Sequence, residues 1–198
     1  MAFDANKINK FWDWFKIISD ALLDHANNQT LIYQLDDRVN RLGAVSWEIG
    51  PWTDELQFLA ISPNLNIDLL EYTQQVIALA PNCKGWHFLP SKPVKDWKGI
   101  VQLENERGIK ITVDTSAWQY ILYQFDDGTF AIDIKITQLD GNRKIQQEAI
   151  NIALTGYLGE EDFMWLINDF QIVDDFEEEV KRKATALKHI KNHIESLS

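Results

Sequence analysis

The chain has 198 residues, enough for one globular domain or two small halves sharing a core, and its 45% apolar and 12% aromatic content with only nine Gly and five Pro excludes collagenous, coiled-coil and disordered classes. Nineteen Lys and Arg stand against 30 Asp and Glu, a formal charge of −11, which excludes a generally basic surface for nucleic acid or anionic lipid and favours a basic partner. The single cysteine, Cys83, can form no intramolecular disulfide and no metal cluster by itself.

Cysteine usage, an N-terminus that interleaves charge with aromatics, and a longest apolar run of only Val76–Ala80 predict a soluble cytoplasmic protein. That run is far short of the roughly 20 residues needed to span a bilayer. In chain order, Phe11, Phe15, Ile18 and Leu22 recur at helical spacing, with Asp4 placed to cap the start. After Asn27-Asn28, Leu31, Leu35, Val39 and Leu42 predict a second helix stopped by a left-handed Gly43, so residues 4–42 form an N-terminal helical hairpin. The period then changes to two: Val45, Trp47 and Ile49 alternate with polar residues, and Gly50-Pro51 leads into a central strand over 55–62. A helix over 68–80 and a short strand over 86–89 complete the first half.

Residues 91–108 mix charge, Pro and Gly and are expected to form a connector. Strands are predicted over 109–113, 118–125 and 129–137. The last two are joined by Asp126-Asp127-Gly128, a hairpin signal because Gly supplies positive φ. Asp140-Gly141-Asn142 opens a helix over 144–158, another strand falls within 163–173, and Phe176, Val180, Ala184, Leu187, Ile190 and Ile194 predict a C-terminal helix over 174–197.

These elements predict one α+β domain, residues 1–198, of two ββαβ (ferredoxin-like) halves at 44–90 and 114–173, forming antiparallel sheet. The halves align at an offset of 76, pairing Leu69 with Ile145, Thr73 with Ala149 and Val76 with Ile152, with Trp86 and Trp165 each opening the strand that follows. Structural duplication and two independent copies of a common unit both explain this.

No phosphate-binding glycine loop, nucleophile elbow or paired-cysteine motif is present, so no catalytic residue and no cofactor is implied. His189 and His193 have a spacing that can present two imidazoles to a metal, but lacking an intervening Glu they are expected on a solvated helix face, with no metal. His25 is expected to be structural. Cys83 lies four residues from His87, yet proximity across a helix-to-strand turn is poor evidence of activation, and the thiol is expected in an inert loop. Trp47, Trp118 and Trp165 are expected in strand cores, one of Trp12 and Trp14 must leave the apolar stripe, and Trp52 and Trp97 lie in loops that either pack down or form a patch.

Charge is distributed unevenly. Residues 114–179 hold 15 acids against Lys135, Arg143 and Lys144, a net of −12, and the remainder sums to +1. An up-down path brings Asp126 and Asp127 toward Glu160, Glu161 and Asp162, forming a carboxylate end that either meets a basic protein surface, binds a cation, or serves as a solubilising rim. Asp140 and the 174–179 cluster fall at the opposite end.

The segments FWDWF at 11–15, SWEIGP at 46–51, ALAPNCKGWHFLPSKP at 78–93 and ALTGYLGEEDF at 153–163 resemble an uncharacterised bacterial domain family associated with relatives of the ribonuclease E inhibitor B family, small acidic α+β proteins. That resemblance implies a ferredoxin-like arrangement and a regulatory or binding role. Residues and resemblance together predict a non-enzymatic module whose acidic half contacts a basic protein, with no direct nucleic-acid or membrane binding. The alternatives are a small-ligand binder or hydrolase using a cleft between the halves lined by Trp86 and His87, and a structural homodimer subunit.

Overall fold

The architecture comes from a computed structural model that describes residues 3–24, 28–104, 108–139 and 143–197. His25, Asn27 and the Asp140-Gly141-Asn142 turn lie outside the described residues. The chain is mixed α+β and divides into two compact units, residues 1–92 and 93–198. No helix among the described residues is long and apolar enough to cross a membrane.

The first unit opens with α1 (Ala5–Leu22), whose first turn is capped as the sequence predicts: the Asp4 carboxylate accepts from the Lys7 N–H at 3.2 Å. Helix α2 (Gln29–Leu42) buries Leu35, Val39 and Leu42, while α1 buries Phe11, Phe15 and Leu22. Gly43 ends α2 with φ 150 and ψ −151, an extended conformation reserved for glycine rather than the left-handed helical stop expected. Strands β1 (Ser46–Pro51) and β2 (Gln57–Ser62) pair antiparallel; helix α3 (Leu70–Ala78) then carries the chain back to β3 (Trp86–Leu89), which lies parallel to β2. Both indole N–H groups of the buried pair Trp12 and Trp86 are satisfied by carbonyls, of Val76 at 2.8 Å and Ser19 at 3.0 Å.

The second unit begins before the predicted connector ends: β4 (Ile100–Glu104) pairs antiparallel with β5 (Lys110–Asp114). Strands β6 (Gln119–Gln124) and β7 (Phe130–Lys135) form the predicted hairpin. Helices α4 (Arg143–Leu158) and α5 (Glu160–Leu166) then deliver β8 (Ile167–Ile172) parallel to β7. The purely antiparallel sheet expected for each half is therefore corrected to a mixed one. A helix that follows one strand returns the chain to that strand's starting end, so the next strand must run parallel.

Two further expectations fail here. Trp165 lies in α5, not in a strand, and is 58% exposed, because a second short helix of seven residues intervenes between α4 and β8. The C-terminal helix is broken. A 3-10 turn at Lys181–Lys183 precedes β9 (Thr185–Ala186), which pairs with β6, and only α6 (Ile190–Glu195) is α-helical. Pairing with the otherwise bare edge of β6 outweighs helical propensity at 184–186.

The resulting sheet has the order β8-β7-β6-β9. Its apolar face carries Phe130, Ile132, Ile134 and Tyr120, all buried, beneath the buried sides of α4 and α6, whose His193 Nδ1 lies 2.7 Å from the Tyr120 hydroxyl. On α4, Gly156 is a point of close approach: a Cβ there would overlap the Trp97 indole, and the Gly156 carbonyl accepts from the Lys95 N–H at 2.8 Å. Replacing Gly156 with Ala is therefore expected to lower stability by about 1–3 kcal/mol, read as a shifted denaturant midpoint, and an unchanged midpoint would contradict the packing.

Candidate functional site

Alternation along β7 separates two chemistries. Phe130, Ile132 and Ile134 enter the core, so Ala131, Asp133 and Lys135 must occupy the second face of the sheet. Cross-strand pairing adds Tyr123 from β6, opposite Ala131, and Asp169 and Gln171 from β8, opposite Ala131 and Asp133.

The segment after β8 returns over part of this face. Asp175 bonds Lys135 at 2.8 Å and Lys181 at 3.0 Å, and next to it Phe176 is buried. These hydrogen bonds to two ammonium groups, with a third from the Phe176 N–H, hold the Asp175 carboxyl far below the usual carboxylate range. Beyond Phe176, Glu177 borders an open groove of about 340 Å³ with Tyr123, Ala131, Asp133, Asp169 and Gln171.

Inside the groove Asp133 is held in place. The Tyr123 hydroxyl donates to its Oδ2 at 2.8 Å and the Gln171 amide donates to its Oδ1. Asp169 accepts from the Phe170 N–H at 2.8 Å, which also occupies a donor on the outer edge of β8. Burial first, then the hydrogen bond and charge of Asp133 and the charge of Glu177, push the Tyr123 phenol up to about 12.

The predicted carboxylate end is only partly available. Strand β7 starts at Phe130 just after the hairpin turn that carries Asp126 and Asp127, and Ile167 of β8, which pairs with Phe130, directly follows α5 with its Glu161 and Asp162. Asp127 accepts from the Thr129 hydroxyl at 2.6 Å and N–H at 3.0 Å, which holds its carboxyl below the ordinary value, and Asn168 reaches the same hydroxyl at 2.6 Å. Glu160, in contrast, is 1% exposed and is not offered to a partner. Asp133, Asp169 and Glu177 were not singled out as site residues by sequence, although the alternation of 130–135 already carried the signal for Asp133.

Trp86 is buried in the first unit's core, edge-on to Phe15 at 5.2 Å, and the His87 ring is stacked on Trp52 at 4.5 Å. Cys83 lies in the loop between α3 and β3, as the sequence predicts, and is buried there, and burial pushes its thiol up, away from nucleophilic character. Among the described residues no group of three His, Cys, Asp or Glu side chains could hold a metal ion. Comparison with protein-family models, curated proteins and solved structures finds no match to this chain.

The Tyr123 contact can be checked by titration. An ordinary phenol ionises near pH 10, and the folded value of about 12 is raised, so the stabilisation is complete below pH 10 and lost as pH rises through 12. The phenol of Tyr120, raised to about 12 by burial, is expected to ionise alongside it. Absorbance titration of Tyr123→Phe should lose one of these late transitions, and loss of one near pH 10 instead would contradict the geometry.

Proposed function

We propose that this chain is a non-enzymatic, cytoplasmic protein-binding module whose acidic second unit holds a basic protein partner. One observation carries the reading: within a segment of net charge −12, three carboxylates border one groove on an open sheet face, and Lys135, which shares that face, is already paired with Asp175. Complementary charge of this kind accelerates encounter and selects the partner. The resemblance to an uncharacterised bacterial domain family associated with relatives of the ribonuclease E inhibitor B family points the same way, and a ferredoxin-like origin by duplication of one unit belongs to the same proposal. A nuclease, a toxin or another nucleic-acid-associated protein has the required basic surface.

The test is association with a small arginine-rich protein at about 0.05 M and about 0.5 M salt, where surface attraction is respectively preserved and screened. Affinity should fall at least about tenfold between the two. The triple variant Asp133→Asn, Asp169→Asn, Glu177→Gln should lose most of the low-salt affinity, and the equally charged control Asp13→Asn, Asp20→Asn, Glu71→Gln should keep it. Equal losses in both variants, or affinity indifferent to salt, would contradict the reading.

A further inference from the structure

The groove beneath Glu177 has a shape as well as a charge. Its floor is Ala131, the smallest side chain on the open face, with Tyr123 on one neighbouring strand and Asp169 on the other. At about 340 Å³ it sits at the bottom of the range for small-molecule pockets and has the size for one long side chain. None of the residues lining it is Lys, Arg or His, so the occupant finds no cation already in place.

The carboxylates are fixed in orientation by different donors. Asp133 is held by Tyr123 and Gln171 and Asp169 by the Phe170 N–H, and each retains acceptor capacity, since an ionised carboxylate offers about four lone-pair sites. Two oriented carboxylates beside an aromatic ring suit a planar fork of five donors that also stacks on aromatic faces. A rotating ammonium gains less from fixed acceptors, being a compact and strongly hydrated point charge.

We propose that this groove receives a single arginine side chain of the basic partner, its stem over Ala131 against Tyr123 and its guanidinium among Asp133, Asp169 and Glu177. The inference rests on the acidic-partner reading above and adds the residue by which the partner is recognised. It also divides the labour on the sheet: the acids around the hairpin turn supply long-range attraction, and the groove supplies selectivity.

The experiment is a calorimetric titration at low salt with two peptides of equal length and charge, one of arginine and one of lysine spaced by Gly and Ser. The chain is compared with Ala131→Leu, which fills the groove and leaves every charge in place. The expected result is a preference of about tenfold for the arginine peptide, erased by Ala131→Leu, with lysine-peptide affinity unchanged within about twofold. Equal affinity for both peptides in the unaltered chain, or an arginine preference that survives Ala131→Leu, overturns the arginine anchor and leaves the acidic-partner reading standing. Failure of both peptides to bind overturns that reading and the anchor with it. Should Ala131→Leu not fold, judged by its unfolding transition, Tyr123→Ala on the exposed wall of the groove serves instead, with the same outcomes.

Discussion

A sheet whose parallel strands are joined by one helical crossover can be covered by that crossover on one face only. In the second unit the chain leaves β7, runs through α4 and α5, and returns as β8, so a single side of the sheet receives the helices. The other side has to face water, be covered by later chain, or be covered by another molecule. Each feature of the candidate site follows from that restriction: polar residues at the alternate positions of β7, the return of residues 174–181 across part of the face, and the groove left where that return ends. The ion pairs of Asp175 with Lys135 and Lys181 are exposed and contribute little energy individually; their role is to fix where the covering segment lies. Burial of Phe176 beside them supplies the apolar contribution.

The first unit uses its aromatic residues differently. Phe11, Trp12, Phe15, Trp86 and Phe88 meet edge to face at centroid separations of 4.8 to 5.7 Å, and the strand β2 is buried from Phe58 to Ser62. The residues that looked chemically promising in the sequence, Cys83, Trp86 and the neighbouring His87, are consumed by this packing or by the stack on Trp52.

Local signals were legible where one physical rule dominates. The Asp4 cap, the two N-terminal helices, the Asp126-Asp127-Gly128 hairpin and the period-two strands were all readable because each depends on neighbours within a few residues. The charge segregation was equally visible, since it needs only counting. What could not be read depends on distant chain. The break at 184–186 exists because β6 has a free edge some 65 residues earlier, and the parallel strands exist because of crossover geometry. Glu160 was assigned to a surface cluster from its neighbours Glu161 and Asp162, yet it turns inward at the first residue of α5, a direction that composition does not encode. Asp169 and Glu177 reach the groove only through the register of β8 with β7 and the return of the chain after it.

The open face of the second unit's sheet is the proposed meeting place with a basic partner. Backbone amide chemical shifts, followed residue by residue as an arginine-rich peptide is added at low salt, test it directly. The largest changes are expected on Tyr123, Ala131, Asp133, Asp169 and Gln171, with α1, α2 and α3 of the first unit undisturbed. Changes centred on the first unit, or spread evenly over acidic residues of both, would contradict it.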